Sequence, residues 1–166
     1  VLFRSGSLPA LVNEPGYMIF GGEFAKGLDL ALLQCPGEGT DYAERNEDGS
    51  VYLDSDYIYT GFAVRNQGEM EAVLAAFHAQ NNNLEALMAL GKIAGPDGDI
   101  LPLNTALADP ALVPVLVEWY MNHGEDGASV LYLDGHTEFV KHGSKFPVTD
   151  EFYEIVEEMV QQSDVS

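Results

Sequence analysis

The chain is short of positive charge: its 166 residues include seven Lys and Arg against 27 Asp and Glu. A formal charge of −20 would repel a phosphate backbone rather than neutralise it, which argues against nucleic-acid binding and against anionic membrane surfaces. Cysteine is equally scarce. The single Cys35 cannot form a bridge within these residues. Its setting, Gln34-Cys35-Pro36-Gly37, has no His or basic neighbour to stabilise a thiolate, so it reads as a structural thiol before a turn. Enzymatic motifs are also missing. There is no G-x-S-x-G elbow and no G-x-G-x-x-G after a strand. Gly21-Gly22 and Gly37-Glu38-Gly39 lack the strand, helix start and lysine of a phosphate loop. No internal repeat or low-complexity tract is present.

What is there suffices for a globular domain. Apolar residues make up 46% of the chain, against disorder despite the charge. A chain of this length can bury roughly 70% of its unfolded surface without a disulfide. The opening Val1-Leu2-Phe3-Arg4-Ser5 matches the in-frame translation of a sequencing-adapter end. Residues 1–10 are therefore expected to be non-native or disordered, with residues 11–166 forming one domain.

Tyr17-Met18-Ile19-Phe20 reads as a loop leading into a short strand, and residues 23–33 as a short helix ended by Cys35-Pro36-Gly37. Asn46-Glu47-Asp48-Gly49 is turn chemistry. The runs at 50–53 and 57–64, flanking Asp54-Ser55-Asp56, are expected to pair as a hairpin. Asn66 with Glu69 three residues on has capping-box spacing, and Met70, Val73, Leu74 and Phe77 follow at helical intervals, predicting a helix over 67–80. Asn81-Asn82-Asn83 stops it. Leu84, Leu87 and Met88 continue on a second short helix ending near Gly91, before a turn at Pro96-Asp97-Gly98-Asp99. Val113, Val115, Val117 and Trp119 alternate as in a strand, with Pro114 suited to its start or to an edge. At the C-terminus Thr149 caps a helix carrying Phe152, Ile155, Val156, Met159 and Val160, expected to lie across a sheet face. This order of elements implies an α+β domain with a mainly antiparallel sheet and packed helices.

The densest signal is Val130-Leu-Tyr-Leu-Asp-Gly-His-Thr-Glu-Phe-Val140. Two β-rich runs joined by Asp134-Gly135 predict a hairpin with a two-residue turn, positive φ at both turn residues, and Leu133 opposite His136. That register sets Val130, Tyr132, Thr137 and Phe139 on one face, expected to be the core side.

The stretch Asn122-His-Gly-Glu-Asp-Gly-Ala-Ser-Val-Leu-Tyr-Leu-Asp-Gly-His-Thr-Glu-Phe-Val140 resembles the C-terminal end of prepilin-type proteins related to type II secretion pseudopilins, abundant in planctomycete and verrucomicrobial bacteria. Their signature is a His, about nine residues, then Asp-Gly and a hydrophobic strand; here ten residues separate His123 from Asp134. Lys145-Phe-Pro-Val-Thr149, the upstream Asp54-Ser-Asp-Tyr-Ile-Tyr-Thr-Gly-Phe-Ala-Val64 and Cys35-Pro36 are similar to that group as well. The resemblance implies a pilin-like globular head without enzymatic activity, facing the periplasm or exterior of a bacterial envelope. Its expected partners are other pilin-like subunits or secretion-system components, and its expected membrane link is an apolar helix upstream of these residues. His123, Asp134 and Gly135 are the signature positions.

The remaining candidates are cation ligands. His123, Glu125, Asp126, Asp134 and His136 superficially resemble a metal or hydrolase constellation, yet turn geometry already accounts for Asp134 and His136. Calcium suits the acidic loop better, with Glu125 and Asp126 as ligands and Asp97 and Asp99 as a second cluster, although no EF-hand spacing is present. His78 is expected on the surface, and Glu69, Glu71, Glu154, Glu157 and Glu158 on solvated helix faces. Two alternatives to the structural reading stay open. One is a small extracytoplasmic metal-dependent hydrolase or ligand-binding domain using His123 and nearby acidic residues. The other is a glycan-binding domain with Trp119, Tyr120 or Tyr57 exposed in a row.

Overall fold

A computed structural model of the chain describes residues 19–20, 43–45, 47, 51–53, 57–103, 109–119 and 126–163. Among these, the first strands are β1 (Ile19–Phe20), β2 (Ala43–Arg45), β3 (Val51–Leu53) and β4 (Tyr57–Tyr59). Helices α1 (Gln67–Ala79) and α2 (Leu84–Ala89) follow, then β5 (Ile93–Gly95) and β6 (Gly98–Ile100). After a 3-10 turn at Pro110–Leu112 come β7 (Pro114–Glu118), β8 (Gly127–Tyr132), β9 (Thr137–Lys141) and α3 (Asp150–Ser163). The main sheet is antiparallel and four-stranded, in the order β9-β8-β7-β4. Smaller antiparallel sheets are β1-β3-β2 and β5-β6. The fold is thus α+β, with the mainly antiparallel sheet expected from the order of elements.

Local chemistry sets the helix boundaries. Asn66 Oδ1 accepts from the Glu69 N–H at 3.0 Å and opens α1, which satisfies one of the orphan donors of a helix start. Asn81 and Asn82 end it by adopting φ of 54° and 59°, a conformation that asparagine tolerates better than most residues. Asn83 Oδ1 then caps α2 through the Ala86 N–H at 2.8 Å. Thr149 Oγ1 accepts from Phe152 N at 3.3 Å at the start of α3. The apolar stripes pack as their spacing implies: Met70, Val73 and Phe77 from α1 share one core with Phe152, Val156 and Met159 from α3. Polar links fasten α3, among them one from His142 Nε2 to Asp150 Oδ1 at 2.8 Å. His78 Nε2 on α1 lies 2.9 Å from Glu158 Oε1, and the Tyr153 hydroxyl donates to the Glu118 carbonyl at 2.8 Å.

β7 starts at Pro114, where a missing N–H is tolerated, and pairs with β8. It is nonetheless a central strand, with all five residues buried. The register with β8 shifts between Pro114 and Leu116; on the opposite edge the β4 pairing runs one rung further, with the Val115 carbonyl accepting from Thr60 N at 3.1 Å. Thr60 Oγ1 donates to the Pro114 carbonyl at 2.8 Å.

Two expectations are corrected and one is extended. The strands at 51–53 and 57–59 do not form a hairpin with each other. β3 pairs with β1 and β2 across a turn containing Glu47, whereas β4 joins β7 in the main sheet. Residues 96–99 make more than a turn, because Ile93↔Ile100 and Gly95↔Gly98 pair as a short hairpin. Glu69 is not on a solvated face; it is fully buried. Its Oε2 accepts from Arg65 N at 2.7 Å and its Oε1 from Arg65 Nε at 3.1 Å, and this carboxylate contact is the main reason the Arg65 pKa is raised. Glu71, Glu154 and Glu157 are exposed as expected. The proposed helix at 23–33 and Cys35 lie outside the described residues.

Two predictions follow from this packing. Any side chain at Gly127, whose φ is +158°, would put its Cβ inside the van der Waals envelope of the Val140 carbonyl oxygen, a backbone atom. Gly127→Ala is therefore expected to lose more than about 2 kcal/mol in denaturant unfolding; unchanged stability would show that β8 and β9 do not approach so closely. Removing the buried carboxylate in Glu69→Ala is expected to cost about 1–3 kcal/mol, at the low end for a buried pair because the Arg65 side chain is 36% exposed. Glu69→Gln, which keeps an acceptor for Arg65 N, should cost less; equal losses in the two variants would assign the effect to packing alone.

Candidate functional site

The β8–β9 hairpin carries the candidate residues, and its turn differs from the expected one. Tyr132 N donates to the His136 carbonyl and Gly135 N to the Tyr132 carbonyl, both at 2.9 Å. The loop therefore has three residues, Leu133, Asp134 and Gly135, and Gly135 takes φ of +92°. Asp134 is not among the described non-glycine residues with positive φ. A three-residue loop closed by a positive-φ glycine is a common hairpin form. The extra residue slips the pairing by one, so Thr137 lies opposite Leu131, Glu138 opposite Val130 and Val140 opposite Ala128. Such a slip moves every side chain of one strand to the other face. Val130 and Tyr132 are buried as expected, but they are joined by Ala128 and Val140, while Phe139 is 57% exposed.

At the hairpin tip Asp134 folds back on His136. Its Oδ1 accepts from His136 N at 3.0 Å and meets Nδ1 of the same ring. The N–H bond from the His136 backbone, followed by the ring contact, holds the Asp134 carboxyl below the usual carboxylate range. The imidazole lies flat on the Tyr132 ring, with centroids 4.4 Å apart and planes 4° from parallel. Beside it, Lys145 Nζ donates to both Glu138 carboxylate oxygens at 2.8 Å, which raises the lysine pKa. Burial pushes the Tyr132 hydroxyl up, and Glu138 adds to the effect while Lys145 opposes it. The tip is thus a set of mutually satisfied polar groups around an aromatic–imidazole stack.

The other candidates are distributed elsewhere. Asp126 is exposed just before β8, and its carbonyl accepts from His142 N at 3.3 Å. Six β8 residues separate it from the tip, placing Asp126 and Asp134 about 20 Å apart at ~3.3 Å per residue. One cation cannot bind both. His123, Glu125 and Tyr120 lie outside the described residues. Asp97 accepts from Asn66 Nδ2 at 3.2 Å, and Asp99 pairs with Lys92 at 3.1 Å. Among the described residues no group of three or more His, Cys, Asp or Glu side chains is placed to hold a metal ion. Trp119 is half-buried and stacks on Tyr153, with centroids 5.7 Å apart. His78 is on the surface as expected, though paired with Glu158 rather than merely solvated.

Two features of this region had weak signals in the sequence. Glu118 is buried at the end of β7, and its Oε2 accepts from Ser129 N at 3.1 Å; a glutamate closing a valine-rich strand hints at such a role without naming the partner. The Tyr132–His136 stack depends on the three-residue loop, so a two-residue turn would not reveal it.

No family matches this chain: neither a family model, nor a curated protein, nor a solved structure is significantly similar to it.

Acid titration tests the tip. Because the folded Asp134 carboxyl is held low by the His136 donors, its contribution to stability is fully present above the ordinary carboxylate range. It is lost as pH falls through the lowered folded value. Carboxyl NMR is expected to show Asp134 titrating below the ordinary carboxylate range, and Asp134→Asn to abolish the accompanying shift of the His136 amide. An Asp134 titration in the ordinary range would contradict the hydrogen bonds described.

Proposed function

We propose that this chain is the non-enzymatic head domain of a prepilin-type, pseudopilin-like protein of the bacterial cell envelope or secretion apparatus. Its partners on this reading are other pilin-like subunits or secretion-system components. The observation that carries the proposal is the structural use of the signature segment. Gly135 supplies the positive φ that closes the hairpin, and Asp134 satisfies the His136 N–H beside it. The following Lys145-Phe-Pro-Val-Thr149 leads directly into the cap of α3. A motif that builds the end of a sheet and docks the terminal helix is what a scaffold domain requires, because assembly depends on a stable surface rather than on a reactive group.

The hydrolase or ligand-binding alternative draws less support from the described residues. Among these, the candidates Asp134 and His136 are a neighbouring pair on an exposed hairpin tip, each already engaged locally. Catalysis by such a dyad calls for further polar groups converging on a concave site. The glycan-binding alternative needs a row of exposed aromatics, whereas Trp119 and Tyr57 are both half-buried.

On this proposal attachment comes from a segment upstream; among the described residues no helix is long and apolar enough to cross a membrane. Sequencing the source locus beyond the codon for Val1 is expected to reveal a prepilin cleavage site followed by an apolar helix of about 20 residues. An in-frame start without such a helix would overturn the proposal and bring the ligand-binding and hydrolase alternatives forward.

A further inference from the structure

We draw no further inference here: the strongest candidate, the outer edge of the main sheet along β9 with exposed Phe139 and Lys141, carries nothing because the structure does not show what covers it.

Discussion

β7 is buried over all five of its residues, and a strand in that position has little access to water for its backbone groups, which must find partners within the protein. Its two neighbours supply most of them, β4 on one side and β8 on the other. Beyond β4 the same edge of the strand stays bonded to Thr60, through Thr60 N to the Val115 carbonyl and Thr60 Oγ1 to the Pro114 carbonyl. At the other end Tyr153 reaches from α3 to the Glu118 carbonyl. The positions of β4, β8 and α3 are all tied to satisfying this one strand. The flanking elements then bury the large side chains, Phe62, Phe77 and Phe152 among them.

Charge is the second organising term. A chain carrying −20 gains solubility from its surface carboxylates, but repulsion among them works against compaction. Most of the described acids escape this cost by remaining exposed, as Glu71, Glu154 and Glu157 do. Glu69 cannot. It sits in the first turn of α1, where the positive end of the helix dipole favours a carboxylate, and Arg65 closes over it from four residues upstream. The arrangement joins the approach to α1 to its first turn, so Arg65 serves as both backbone donor and counter-ion.

Helix boundaries were legible because they depend on local chemistry: Asn66 and Thr149 each cap the helix that their spacing implies, and the Asn81-Asn82-Asn83 stop also supplies the α2 cap, through Asn83. The α+β class followed from the order of those elements. Pairings that depend on distant residues were less legible. Nothing within 50–64 distinguishes a hairpin from two strands assigned to different sheets, since the deciding partner of β4 lies at 116–118. The β9 register failed on one residue, because Asp-Gly suits a two-residue turn as well as the end of a three-residue loop. Burial of Glu69 was not readable, because its partner Arg65 lies before the helix start, outside the helical periodicity that places the other residues. Of the site residues, Asp134 and Gly135 lie in the hairpin loop but not as the two-residue turn expected, since only Gly135 takes positive φ, whereas His123 and Glu125 fall outside the described residues.

The contact between Asp134 and His136 resembles the carboxylate–imidazole pair of hydrolytic sites, and its origin argues for a different use. Two residues apart in a tight loop, the side chain of an aspartate reaches the backbone N–H of residue i+2 through ordinary Asx-turn geometry, and that bond is present here at 3.0 Å. The ring contact then follows from proximity, with Tyr132 beneath the imidazole to hold its plane. In a catalytic pair the carboxylate orients the ring toward a reacting group in a water-poor site, and the low dielectric strengthens the interaction. At the hairpin tip both partners are open to solvent, which screens that interaction. The same two residue types therefore act here to fix a turn, and through the turn the register that buries Val130 and Val140 while leaving Phe139 outside.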